Sequence, residues 1–531
     1  MLKVFVCGVL CSVLWAGCAR KYSEHHRSVF RYNETSGIAS LDPAFARNQS
    51  AMWAVHQLYN TLTEVDHQLQ IVPSLATSWE ISDSGRTWLF HLRTDVYFHN
   101  DKVFPEGQGR RLVANDVVYS FQRLINPETA SPGAWIFNTR VAAEQPFTAV
   151  NDSTFRLRLN EPFPPVLGVL SMKYCSIVPQ EAVTYYGAAF RQHPVGTGPF
   201  RMVRWKEGQA LILEKNPGYF EIDEQGNRLP YLDGIKITFL ENKASEFVMF
   251  RQGQLDFVND IDPTFKDEIL TRGGQLKPRW NDQIKLHTGP YLNVEYLGIL
   301  NDTARISPLQ QPAVRKALQY GIPREKLLMY LRNSIGKPAQ QGFVPSGFSE
   351  ASRFIEGYTY QPDSARAWLK RSDYNGEEIL LTTVPQYEAI GSFIAGSLQE
   401  IGLNVRVEQV PKSVLLQRTS KSEIQFFRGS WIADYPDEEN FLSVFYSKNP
   451  APPNYTRYSN PQYDQWYEMA LRETDAMNRQ KYYRLMDSCI VADIPVIPLW
   501  YDMVIHLVQP KVTGFQTNPL NMLELRRARK M

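Results

Sequence analysis

The chain has 531 residues, with 57 Lys and Arg against 55 Asp and Glu for a net charge of +2. That near balance argues against a nucleic-acid or anionic-membrane partner held by bulk charge. Hydrophobic residues at 43% and charged residues at 21% describe a folded globular chain, neither disordered nor multi-spanning, and at about 150 residues per domain its length allows several domains.

Met1-Leu2-Lys3 is a short basic start, followed by an apolar run from Val4 to Trp15 and the small residues Ala16-Gly17 before Cys18. This is the pattern of a secretory signal. The run is shorter than the ~20 residues a spanning helix needs, so residues 1–17 are expected to be removed. Leu14-Trp15-Ala16-Gly17-Cys18 resembles a bacterial lipobox, although Leu14 stands one place earlier than the pattern has it. Cys18 is then the expected lipid-bearing residue and 18–26 a polar tether. With Cys7 and Cys11 in the removed segment, Cys175 and Cys489 remain, and both are expected to be unbridged thiols. No CxxC or Cys/His cluster offers a zinc ligand set, so no metal and no cofactor is expected.

Along the rest of the chain, Trp79-Glu80-Ile81 and Trp88 to Leu92 flank the turn residues Ser82-Asp83-Ser84-Gly85, which predicts a hairpin. Val117, Val118, Phe121 and Leu124 have helical spacing, with Asn115 the expected cap. Gly196-Thr197-Gly198-Pro199 lacks the third glycine of a dinucleotide loop and the lysine of a P-loop, so it reads as a tight strand entry. Asn216-Pro217-Gly218-Tyr219 is turn chemistry. Pro312 opens a helix, Asp363 to Leu369 forms another, and Arg315 is read as structural, paired with a neighbouring acid. Ile379 to Val384 and Val405 to Val410 are strands flanking a helix near Ala389 to Ile401, a βαβ unit and hence part of a parallel sheet.

The order of Leu41-Asp42-Pro43, Leu58 to Leu62, Val72 to Trp79, Ala114 to Ser120, Pro194 to Phe200, Glu214 to Phe220, Gly253 to Asp256, Val314 to Leu318, Trp431 to Leu442 and Asp493 to Leu499 resembles the extracellular solute-binding proteins of dipeptide and oligopeptide ABC importers. The resemblance runs from about Thr35 to the C-terminus. It implies an α/β, two-lobed periplasmic-binding-protein-like fold with a large inserted subdomain and a two-chain hinge. The expected boundaries are 27–46, 188–287 and 501–531 for lobe I, 47–187 for its insertion, and 288–500 for lobe II.

A peptide zwitterion needs one fixed carboxylate, one fixed cation and strand-like edges. Phe427 to Tyr435 is the segment with that chemistry. The resemblance implies that Asp434 receives the peptide α-ammonium and that Arg428 lines the same cleft, with Trp431, Ala433 and Tyr435 as neighbours in the site. If the segment is extended, the even spacing sets Arg428 and Asp434 on one face, roughly 20 Å apart. No residue matches the arginine that clamps the ligand carboxylate in dipeptide-specific members, so ligand length stays open. The implied partners are a peptide, the permease subunits of an ABC importer and a lipid anchor through Cys18. The protein is expected at the outer face of a membrane in the cell envelope, as a monomer that binds no nucleic acid. It is not expected to be an enzyme, since no HExxH or GxSxG is present. A carrier of nickel, a metal chelate or a saccharide on the same fold is the alternative.

Overall fold

The computed structural model describes residues 28–301, 307–348 and 355–531. The expected signal segment, Cys18 and its tether lie outside them. Strand β1 (Val29–Asn33) leads through a 3-10 turn at Pro43–Phe45 into helix α1 (Gln49–Leu58). The expected hairpin forms as β2 (Ala76–Ser82) and β3 (Thr87–Leu92), with Ser82 opposite Thr87. Trp88, Phe90 and Leu92 alternate inward along β3, the period of a half-buried strand.

Helix α2 (Ala114–Ile125) follows, but Asn115 is not its cap. Val113 stands at the N-cap, and the Asp116 carboxylate reaches back to accept its N–H at 2.9 Å. Arg110, six residues earlier, holds the same carboxylate at 2.6 Å. Strands β4 (Phe147–Asn151) and β5 (Thr154–Arg158) complete a four-stranded sheet in the order β2-β3-β5-β4, and the short helix α3 (Val166–Leu170) comes next.

Gly196 to Pro199 enters β6 (Phe200–Lys206) as a close backbone approach: a Cβ on Gly198 would lie 2.3 Å from the carbonyl carbon of Leu58. The chain continues through β7 (Ala210–Lys215), β8 (Gly234–Thr238), β9 (Phe257–Asn259) and the long β10 (Lys285–Ile299). Helices α4 (Pro312–Gly321) and α5 (Pro362–Leu369) each carry proline in the first turn. The βαβ unit is β11 (Ile379–Thr383), α6 (Glu388–Gln399) and β12 (Val405–Gln409), with β11 and β12 parallel. Strand β13 (Phe426–Ile432) and the second long strand, β14 (Val496–Val508), complete the main set. Arg315 is buried as expected for a structural residue, yet its guanidinium donates to the carbonyls of Leu309 and Asp493 and to Asn301 Oδ1 rather than to an acid. Cys175 and Cys489 are both free thiols.

An eleven-stranded sheet runs in the order β12-β11-β13-β10-β14-β9-β1-β8-β7-β6, with Lys337–Pro338 beside β14. Its two ends belong to different lobes. At one end β11, β12 and β13 support apolar layers that include Leu297, Phe426, Tyr296 and Phe441. At the other, β1 and β8 support a layer built on Phe30, Tyr32, Trp53 and Phe121. β10 and β14 belong to both, and their antiparallel register breaks between Pro290 and Val294.

The C-terminal segment is tied onto helix α1. Trp53 and Gln57 donate to the carbonyls of Asn521 and Leu523, each at 2.7 Å. Arg526 meets Glu64 at 2.8 Å, Glu524 at 2.6 Å and also Glu221. Glycine contacts give a direct check of this packing. Gly198→Ala sets a methyl against backbone and should lower stability by more than ~2 kcal/mol. Gly396, in α6 with open space around it, should on mutation to Ala gain up to ~1 kcal/mol. Denaturant titration of the two variants measures both.

Candidate functional site

β13 pairs antiparallel with β10, Arg428 opposite Leu297 and Ile432 opposite Asn293. Pairing continues one step further, where Ala433 N–H donates to Leu292 O at 2.8 Å. The chain then leaves the strand at Asp434, just where β10 loses register with β14. Residues 428 to 431 are all half-buried, and the alternation expected of an extended segment appears only at the strand's end, where Ile432 and Asp434 are exposed while Ala433 and Tyr435 are buried.

Asn440 holds that turn. Its side-chain oxygen accepts from Asp434 N–H at 3.4 Å and from Trp431 Nε1 at 3.1 Å, and its carbonyl accepts from Trp431 Nε1 at 2.9 Å. The Tyr435 hydroxyl donates to Glu439, a buried carboxylate that also accepts from Tyr467. The other lobe closes on the same segment. A Cβ on Gly168 in α3 would lie 3.3 Å from Pro436 Cδ and 3.7 Å from Tyr435 Cβ.

Asp434 is exposed to water yet surrounded by protein, as a carboxyl in a cleft is. That desolvation raises its pKa, and the Asn440 amide opposes the shift. Among the described residues no Lys or Arg forms an ion pair with it. In the unliganded protein the raised value means stability that is full at low pH and lost as pH rises through it. A cation brought by a ligand removes that cost.

Arg428 is placed differently from its expected role as a free cleft cation. Its guanidinium is bound to Glu295 on β10 and lies 3.8 Å over the Tyr387 ring, whose hydroxyl donates to Glu295 at 3.3 Å. Burial raises the pKa of Glu295 and Arg428 opposes it. A second arginine, Arg332, is spent in the same way on Asp502 at 2.8 Å, and Asn293 Nδ2 donates to the other oxygen of that carboxylate at 3.1 Å. The sequence singled out neither Glu295 nor Asp502. Their signal is an acid in an apolar strand, and the partners become visible only in the folded protein, where β13 brings Arg428 to Glu295 and the end of the helix Arg324–Leu331 brings Arg332 to Asp502.

Two lobes on one sheet, joined by paired strands, with an unpaired carboxylate where they meet, define a two-lobed solute-binding protein. The family model for bacterial extracellular solute-binding proteins, family 5, matches residues 70–453, and the chain belongs to that family. It is 23% identical to the dipeptide-binding protein DppE of Bacillus subtilis, over 94% of this chain and 92% of that protein. It is 27% identical to heme-binding protein A of Haemophilus influenzae, over 87% and 85%. Among solved structures it resembles the periplasmic binding protein DppA from Helicobacter pylori in complex with peptide STSA, with a TM-score of 0.75, 25% identity, and 94% and 98% of the two chains covered. No helix of the described residues is long and apolar enough to cross a membrane.

The arginine pair is open to test. Glu295→Gln leaves the Arg428 charge half-buried without its counterion and should cost about 3 kcal/mol, whereas Glu295→Met with Arg428→Met should recover most of the loss. Urea unfolding of the single and double variants reads the difference.

Proposed function

We propose that this protein captures peptides between its lobes and delivers them to the permease of an ABC importer. The observation that carries the reading is the Asp434 carboxylate, which is desolvated, water-accessible and without a cation. In that place it receives the α-ammonium every free peptide carries, and closure strengthens the contact by lowering the local dielectric. Trp431, Ala433 and Tyr435 shape the turn that presents it, and Arg428 lines the cleft with its charge committed to Glu295. The lobes follow the boundaries 27–46, 188–287 and 501–531 for one, 47–187 for its insertion and 288–500 for the other. The Bacillus relative named for dipeptides and the Helicobacter structure with a bound peptide support the assignment. The Haemophilus relative is named for heme, but an anionic ligand of that kind would meet a lone carboxylate here. The protein acts as a binder and not an enzyme, works as a monomer, and is held to the membrane by lipid on Cys18.

Asp434→Asn should weaken binding of a mixed tripeptide panel by at least ~100-fold in calorimetry, since an ammonium left unpaired in the cleft costs several kcal/mol. N-acetylated peptides should fail on the wild type. Affinity should begin to fall, as pH is lowered, already above the ordinary carboxylate value, because the unliganded Asp434 has a raised pKa and must lose its proton to bind an ammonium. Unchanged affinity in the variant removes Asp434 from the site.

Cys18→Ser should move the protein from the membrane pellet to the soluble fraction, since a multiply acylated cysteine exceeds the two-signal threshold for stable anchoring. Fractionation and immunoblotting measure it, and a variant that stays in the pellet counts against the anchor.

A further inference from the structure

The paired strands β10 and β13 present two unlike faces. Leu292, Val294 and Ala433 go to the apolar layer on one of them. Asn293 and Glu295 of β10, with Ser430 and Ile432 of β13, take the other, because directly opposed residues share a face and successive ones alternate. Ile432, opposite Asn293, is 48% exposed, so solvent reaches this second face at the end that leads to Asp434. The other lobe comes down at the same end, with Gly168 against Pro436.

Asn293 is in an unusual condition there. It is only 4% exposed. Its Nδ2 donates to Asp502 at 3.1 Å, and Asp502 is paired with Arg332 at 2.8 Å, so the carboxylate is ionised and can only accept. That fixes the amide: nitrogen toward Asp502, oxygen away from it. The oxygen is buried, and among the described residues it has no hydrogen-bond partner. Buried amide oxygens are nearly always met by a donor, because leaving one unmet forfeits the hydrogen bond that water supplied. Its neighbour Asp502 is already balanced by Arg332, so what Asn293 offers is a neutral acceptor, suited to an N–H rather than to a second cation.

The register places this acceptor relative to Asp434. Ala433 N–H donates to Leu292 O at 2.8 Å, which carries the pairing up to the residue before Asp434. With Ile432 directly opposite Asn293, Asp434 is the diagonal neighbour of Asn293 on the shared face, a relation that sets residues about 7–8 Å apart. Two residues of extended chain advance ~6.6 Å, and alternate N–H groups of such a chain point to the same edge. A peptide whose ammonium lies at Asp434 therefore brings the N–H of its third residue toward Asn293, while that of its second residue faces the opposite edge.

We propose that Asn293 Oδ1 accepts the main-chain N–H of the ligand's third residue. This rests on the peptide reading above and adds to it a length requirement: tripeptides and longer peptides gain a contact that dipeptides lack, whatever their side chains.

Calorimetry tests the assignment with tripeptides of varied sequence, the matching depsipeptides in which an ester oxygen replaces the nitrogen of the third residue, and dipeptides. On the wild type the tripeptides should bind about 10-fold tighter than the depsipeptides, as expected when a buried acceptor loses its only donor. Asn293→Ala should bring that ratio to about one and leave dipeptide affinity within about 3-fold of the wild-type value, a range set by non-additivity. Asn293→Thr, whose hydroxyl keeps a donor for Asp502 while the amide oxygen is gone, should do the same, and an unchanged melting temperature shows that either variant is folded. A wild-type ratio of about one, a ratio that survives in the variants, or a variant loss shared equally by dipeptides overturns this inference and leaves the peptide reading standing. No binding by any member of the panel overturns the peptide reading and this inference with it.

Discussion

The ladder between β10 and β14 holds the molecule together and also gives it somewhere to bend. Both strands run out of one hydrophobic layer and into the other, so each lobe uses them as an interior strand and neither lobe can form its sheet without them. A continuous ladder would make one rigid plate. The loss of register between Pro290 and Val294 interrupts it where Asp434 leaves β13 and where Asn293 meets Asp502. Bending at few backbone positions between packed cores is how hinged domains close, since the cores themselves resist continuous deformation.

Charge placement follows from this geometry. Acids on β10 and β14 meet Arg428 of β13 and Arg332, which ends the helix Arg324–Leu331, at the bend, and at lowered dielectric they must pair or be neutralised. Glu295 with Arg428 and Asp502 with Arg332 satisfy that requirement inside the protein. Asp434 is left out, one step past the end of the ladder. An unpaired group in such surroundings costs free energy, and the cost is removed by a ligand of opposite charge.

The lobe facing it is stiffened by other means. Arg526 gathers Glu64, Glu221 and Glu524 near the chain's C-terminal end, and Asp42 with Arg123 locks the Pro43–Phe45 turn.

The local elements were legible in the sequence wherever short-range chemistry decides them. Alternating apolar residues marked β2 and β3, proline in the first turn marked α4 and α5, and the strand-helix-strand order marked β11, α6 and β12. Asp434 was legible through its resemblance to a family motif. What the chain order could not show was which charge meets which. Asn115 had the chemistry of a cap, but the helix starts one residue earlier, with Val113 at the N-cap and the Asp116 carboxylate accepting its N–H. Arg428 had the chemistry of a ligand cation, but Glu295, 133 residues away, took its charge. Pairing between distant side chains depends on strand register and lobe contact, and only the tertiary structure decides those; so the sequence by itself determined the fold class, and the tertiary structure decided which charges pair with one another.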